Sequence, residues 1–274
     1  MLWANNDPMD NDDRIVGRIF SRREALATAA RTGLVLVAGA GFPRLNLAGR
    51  GRQPPVHIVV SPQLEEGPFF VDEKLNRSDI VAGTDRASVT NGLPLQLSFT
   101  IYKLVGDDHQ PLKGAHVDVW HADAAGVYSD EQNGGNQENT VHQMWLRGYQ
   151  VTDAAGAAQF KTIFPGWYPG RSPHIHLKVR TYSAANNATA EFTTQLFFRE
   201  GDAKRIYTAD PYSSRGGHET TNNRDGVYNA FQVDGEPAGS LMRLDLAKND
   251  PGYKAHFAIL LDDSNLHAGR PRRS

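Results

Sequence analysis

From residue 54 onward the chain is cut into short runs of alternating apolar and polar residues, each closed by Gly, Pro, Asn or Asp. Alternation at period two fits a strand with one face on a core, whereas a helix would need its apolar residues three to four positions apart. Residues 95–104 (LQLSFTIYKL) alternate, Gly106 starts a turn, and residues 115–120 (AHVDVW) alternate again, which predicts a hairpin. Residues 146–152 and 157–164, joined by Asp153-Ala154-Ala155-Gly156, predict a second strand, turn, strand unit. Further strands are expected at 174–182, 193–198 and 253–261, while residues 24–31 are the one stretch that favours helix. Residues 130–143, poor in apolar side chains and broken by Asn and Gly, read as a long loop of the kind that often carries function. The pattern predicts an all-β protein, an antiparallel β-sandwich with long loops.

Charge and cysteine content narrow the functions open to such a fold. Lys and Arg number 29 against 31 Asp and Glu, a formal charge of -2, so no basic field would draw in a nucleic acid. Zero Cys excludes disulfide scaffolds, zinc knuckles and thiol nucleophiles, so a bound metal would need His, Tyr, Asp or Glu ligands. Ahead of the strands, Arg22-Arg23 precedes a small-residue apolar stretch over 25–42 that Arg31 interrupts, too weak for a stable membrane span. The paired arginines resemble a twin-arginine export signal, although Ala25 stands where that signal usually has Phe. Residues 1–52 are therefore expected to be a leader read by the twin-arginine export machinery, with the mature protein outside the cytoplasm. Residues 53–264 are expected to form the sandwich, and 265–274 a basic disordered tail.

One strand stands out chemically. His174 and His176 leave the same face of a strand with Cα atoms about 7 Å apart, so two imidazoles can converge on one ion. No Glu follows closely enough to complete a cupin-like site, since Glu191 lies fifteen residues past His176. Tyr168, between two Pro-Gly turns, and Tyr128, after the turn at Gly126, are candidates to complete it. Taken singly, each tyrosine could equally close the edge of the sandwich, and the two histidines could hold copper or zinc.

Six segments taken together resemble the intradiol ring-cleavage dioxygenases, and their order and spacing match. They are 114–123 (GAHVDVWHAD), 126–129 (GVYS), 152–156 (TDAAG), 165–168 (PGWY), 171–176 (RSPHIH) and 194–198 (TQLFF). The resemblance covers roughly residues 60–205 and is closest to the shorter, secreted branch. It implies a prealbumin-like core and one non-haem Fe(III) per chain held by Tyr128, Tyr168, His174 and His176. Phenolate is a hard oxygen donor that suits ferric iron. The resemblance further implies that a small catecholic aromatic and O2 are the substrates. The ring would open between its two hydroxylated carbons to a muconate-type diacid, with Tyr168 as the displaceable ligand and Tyr128 the permanent one. Arg171 falls where the family has an arginine facing the ring, and Gln195 matches the glutamine of its T-Q-x-x-F strand. The pattern leaves open which catechol is used and whether the chain is a monomer or a dimer. A non-catalytic prealbumin-like binding module shares the 152–160 and 165–168 patterns, but would have no use for His174, His176 and Tyr128.

Overall fold

In the computed structural model the described residues are 60–106, 108–132 and 138–268. The predicted leader, the centre of the 130–143 loop and the last six residues lie outside them. Strand is the main regular structure of the described chain. The first sheet is built on β1 (Pro94–Val105), whose alternating buried and open positions match the alternation in its sequence. Its neighbour β12 (Gly252–Leu261) runs parallel to it, pairing Leu95 with Tyr253 through Lys103 with Leu261. Along its other edge β2 (Asp108–Pro111) and β5 (Ala157–Ile163) run antiparallel to it, and β11 (Ala247–Asn249) flanks β12. The second sheet has the order β10 (Arg243–Leu244), β7 (Ala188–Phe198), β6 (His174–Tyr182), β3 (His116–Trp120), β4 (Arg147–Val151), with β13 (His267–Ala268) also on β7. A short ribbon pairs β8 (Gln232–Val233) with β9 (Glu236–Pro237).

The two sheets share one core. Leu95, Leu97, Phe99 and Ile101 of β1 join Val117 and Val119 of β3, Ile175, Leu177 and Val179 of β6, and Phe192 and Leu196 of β7 in a single buried cluster. Each such side chain contributes roughly 1.5–3 kcal/mol by leaving water. Odd-numbered residues of β6 therefore face the core, and His174, His176, Lys178 and Arg180 point to the opposite face. That face is buried too. Residues 61–72 strap across it, with Leu64 N donating to Thr193 O (3.0 Å), Arg147 Nη1 to Phe69 O (2.6 Å) and Arg180 Nη1 to Asp72 Oδ2 (3.0 Å). A central strand covered on both sides reads as a nearly continuous buried run.

Five expectations need correction, the first being the antiparallel pairing, since β12 runs parallel to β1 and β10 parallel to β7. The hairpin partner of β1 is β2, with Tyr102 opposite Pro111 and Val105 opposite Asp108. The predicted partner, β3, lies in the other sheet between β4 and β6. Strands β4 and β5 exist and the Asp153 to Gly156 turn closes as expected, with Gly156 N donating to Asp153 O (3.0 Å). The turn is nevertheless a corner between sheets, because β4 belongs to the second and β5 to the first. A helix also forms at Glu200–Ile206, with Glu200 and Asp202 in its first turn and Lys204 and Arg205 in its last, which complement its dipole. Finally, residues 265–268 belong to the fold: Asn265 is buried and donates from Nδ2 to Ser61 O (3.0 Å), and β13 pairs with β7.

Candidate active site

The site lies at the start of β6, on the face turned away from the core. The rings of His174 and His176 are 4.8 Å apart between centroids and nearly perpendicular, at 77°. Register sets their surroundings. Opposite His176 stand Trp120 of β3 and Gln195 of β7, and the Trp120 indole stacks on the His176 ring (4.8 Å, 11°). His174 Nδ1 donates to Ser172 O (2.6 Å), since a carbonyl can only accept, so its Nε2 keeps a lone pair facing the site.

Both tyrosines arrive on turns organised by Asp123. Its Oδ1 accepts from Ala125 N (2.8 Å) and Val127 N (3.0 Å), and its carbonyl accepts from Gly126 N and Gly166 N, each at 2.9 Å. Gly126 is in the left-handed region at φ 77°, and a Cβ there would strike the Trp167 carbonyl, so only glycine fits. Arg215 Nη1 ties the turns together by donating to the carbonyls of Ala125 and Trp167. The outcome is a convergence of four side chains. Tyr128 Oη is 3.3 Å from His174 Nε2 and 3.1 Å from His176 Nε2, and Tyr168 Oη is 3.1 Å from His174 Nε2.

Burial sets the protonation of this cluster. It holds the Tyr128 phenol well above the usual range, with Tyr168 adding to the rise. It also raises Tyr168, against which the Arg171 cation acts. Both imidazoles are pushed well below the ordinary histidine value by burial, His174 next by the Arg171 charge and His176 by His174 and Arg171. Arg171 Nε donates to Asp225 Oδ2 (2.9 Å) and its Nη2 to Gln195 Oε1, while Gln195 Nε2 donates to Glu65 O (2.7 Å). All six sequence-predicted site residues, Tyr128, Tyr168, Arg171, His174, His176 and Gln195, thus belong to one contact network.

Sequence reasoning missed three contributors. Phe69 stacks on Tyr128 (4.3 Å, 19°). Arg147, itself buried, donates to Ser129 O from Nε (3.2 Å) and to Ser129 Oγ (2.8 Å) and so holds the residue next to Tyr128. Asp225, fully buried, holds Arg171. Of these only Phe69 had a local signal, in Gly67-Pro68-Phe69-Phe70, a turn followed by two exposed-cost aromatics.

A family model described as a dioxygenase matches residues 65–214, more than half of the chain. The chain belongs to the intradiol ring-cleavage dioxygenase family. Among relatives, a chlorocatechol 1,2-dioxygenase of a Pseudomonas species is 32% identical over 156 residues, covering 50% of this chain and 55% of that protein. Catechol 1,2-dioxygenase 1 of Acinetobacter lwoffii is 29% identical over 165 residues, 52% of this chain and 47% of its own length. The chain thus spans about half the length of the curated relatives it matches. Among solved structures, an intradiol ring-cleavage dioxygenase from Tetranychus urticae is 28% identical, with a TM-score of 0.61 over 74% of this chain and 94% of that one. The dioxygenase domain of a carbohydrate-binding fusion protein from Streptomyces sp. SirexAA-E is 27% identical, with a TM-score of 0.50 over 74% and 98%.

The residues of this dioxygenase-family site fit a ferric ion on their own chemistry. Two neutral imidazoles, one with its lone pair fixed inward, and two phenols meet with no carboxylate among them. Among the described residues no group of three or more His, Asp or Glu could hold a metal, so a site here requires the tyrosines. Phenols whose ionisation burial opposes need a concentrated positive charge to lose their protons, which a trivalent hard ion supplies and a structural packing role does not require.

Proposed function

We propose that this chain is an intradiol ring-cleavage dioxygenase that uses O2 to open a catecholic aromatic between its two hydroxylated carbons, giving a muconate-type diacid. The observation that carries this reading is the meeting of Tyr128 Oη, Tyr168 Oη, His174 Nε2 and His176 Nε2 within 3.1–3.3 Å contacts on one strand end. In this reading those four side chains hold one Fe(III), which when bound would draw electron density from a chelated catecholate and so activate the ring toward O2.

The chain's own residues divide the remaining work. Tyr128 is fully buried and stacked on Phe69, which suits a permanent ligand. Tyr168 is half-buried on a Pro-Gly turn, and can swing aside while its Oη takes a proton from the incoming catechol hydroxyl. Arg171 presents a fixed cation beside Tyr168, where negative charge on the ring would develop. Gln195 holds the guanidinium at its Nη2. A non-catalytic module with the same strands would need none of these four donors to meet.

The test is the purified, iron-supplied protein. It should contain close to one iron per chain, show the red colour of phenolate-to-ferric charge transfer, and consume O2 with catechol to yield a diacid retaining all ring carbons. A colourless protein that binds zinc or copper in preference to iron, or a loaded protein inert to catechols, would overturn the reading. We also propose export through the twin-arginine route, supported by Arg22-Arg23 ahead of the small-residue apolar stretch. Replacing both arginines by lysine should trap the precursor in the cytoplasm, and undiminished export would refute it.

A further inference from the structure

We infer that Asp225 is the positioning residue for Arg171, fixing the guanidinium against the start of the histidine strand from a segment beyond the family-matched residues. The inference rests on the proposed function and goes further along the chain, since the match ends at residue 214. Asp225 is completely buried on a turn after Asn222–Arg224. Its Oδ1 accepts from Val227 N (2.8 Å) and Tyr228 N (3.0 Å), which locks the carboxylate to its own backbone. Its Oδ2 is thereby aimed at one place. There it accepts from Arg171 Nε (2.9 Å), Ser172 N (2.8 Å) and Ser172 Oγ (3.2 Å).

The physical need for such a group is plain. An arginine side chain has many rotamers to lose, and Arg171 follows Gly170, a left-handed residue at φ 87° in an open turn. One contact would let the guanidinium plane rotate. Contacts on two of its nitrogens define it, and here Asp225 takes Nε while Gln195 takes Nη2. The same carboxylate oxygen also accepts from Ser172, whose carbonyl receives His174 Nδ1–H (2.6 Å). The cation is thereby held beside the start of the strand that bears the histidines. Because the carboxylate is neither at the phenols nor among the converging donors, it acts through Arg171 and not on substrate.

The experiment is a double-mutant cycle in the iron-loaded full chain, with Asp225→Asn, Arg171→Ala and the double variant, reading kcat, KM and iron content. Asp225→Asn keeps the side-chain size but removes the charge and one acceptor, so Arg171 loses its fixed edge. The expected result is kcat lowered about 10²-fold, the scale of a small misplacement of a reacting group, with KM and iron content near wild type. The double variant should be no slower than Arg171→Ala alone. If Asp225 served only the backbone at Ser172, Asp225→Asn would lose iron and would slow Arg171→Ala further. That pattern, or an unchanged kcat in Asp225→Asn, overturns the inference. Should Asp225→Asn fail to fold, Arg171→Lys decides the matter, because an ammonium cannot engage Asp225 and Gln195 with two separate nitrogens of one plane. It should fall at least about tenfold below wild type with iron retained, and wild-type turnover in it would overturn the inference. A wild-type chain that cleaves no catechol defeats the proposed function itself, whereas an active wild type with multiplying losses defeats only the role of Asp225.

Discussion

Acidification should destabilise this protein through a histidine that takes no part in the site. His121 is 1% exposed; its Nδ1 donates to Ala122 O (2.8 Å), which leaves Nε2 as the acceptor for the Thr162 hydroxyl (2.6 Å). Both ring nitrogens are thus satisfied in the neutral form, and a second ring proton would put a buried charge there while turning the Thr162 hydroxyl from donor to acceptor. Burial pushes the folded-state value from 6.5 down to about 4. Between those values the unfolded chain binds the proton and the folded chain does not. Stability is therefore full above about pH 6.5 and is lost as pH falls toward 4. At 1.36 kcal/mol per pH unit the gap is worth roughly 3 kcal/mol, a large part of the net stability of a typical domain. The assay is urea unfolding of the wild type and of His121→Gln at fixed pH values from 7.5 to 4. The variant starts less stable, because the packed ring is gone, but it has no group to titrate there. The difference between the two proteins should shrink by about 3 kcal/mol across the range, while ligand and carboxylate titrations common to both cancel. A difference independent of pH would refute the reasoning, since it would mean that His121 is charged or not buried at neutral pH.

The two tyrosines should behave unequally. Tyr128→Phe should lose iron to a chelator far faster than wild type, whereas Tyr168→Phe should keep most of its iron and lose turnover; identical spectra and rates in the two would rule out tyrosinate ligation. Arg215→Ala removes the donor shared by the Ala125 and Trp167 carbonyls, so it should cost about 1.5–3 kcal/mol of stability and weaken iron retention through both tyrosine turns. Denaturant titration with a parallel chelator challenge checks this, and wild-type iron retention in a destabilised variant would separate the fold from the site.

What the sequence disclosed and what it hid divide along the range of the interactions. Strands β6, β7 and β12 are legible because the alternation that defines each is local, and His174 and His176 share a face by period alone. The choice of partner is not local. Residues 115–120 carry as good a strand pattern as β2 lacks, so the short polar run 108–111, with only His109 buried, escaped notice while β3 was assigned to the wrong sheet. The helix at Glu200–Ile206 was hidden for a related reason: with only Ala203 and Ile206 buried, it has too few apolar positions for a periodicity, and its charge order was its sole signal. The same division runs through the site.

The four converging side chains and Arg171 are adjacent to turns whose Gly and Pro can be read directly, so resemblance and local chemistry agree on them. Asp225 is 54 residues from Arg171 along the chain and sits on a turn with no periodic pattern, and Arg147 looks in sequence like any other arginine on a strand edge. Their roles come from burial and from the partners that burial imposes: a charge removed from water must be paired, and the partner it finds is then held in place. The converging donor atoms are thus written in short segments, and the groups that aim them are distributed over the whole fold. It follows that transplanting residues 120–198 alone onto another sheet would carry all four donors but not Phe69, Arg215 or Asp225, and would place the donors without fixing them.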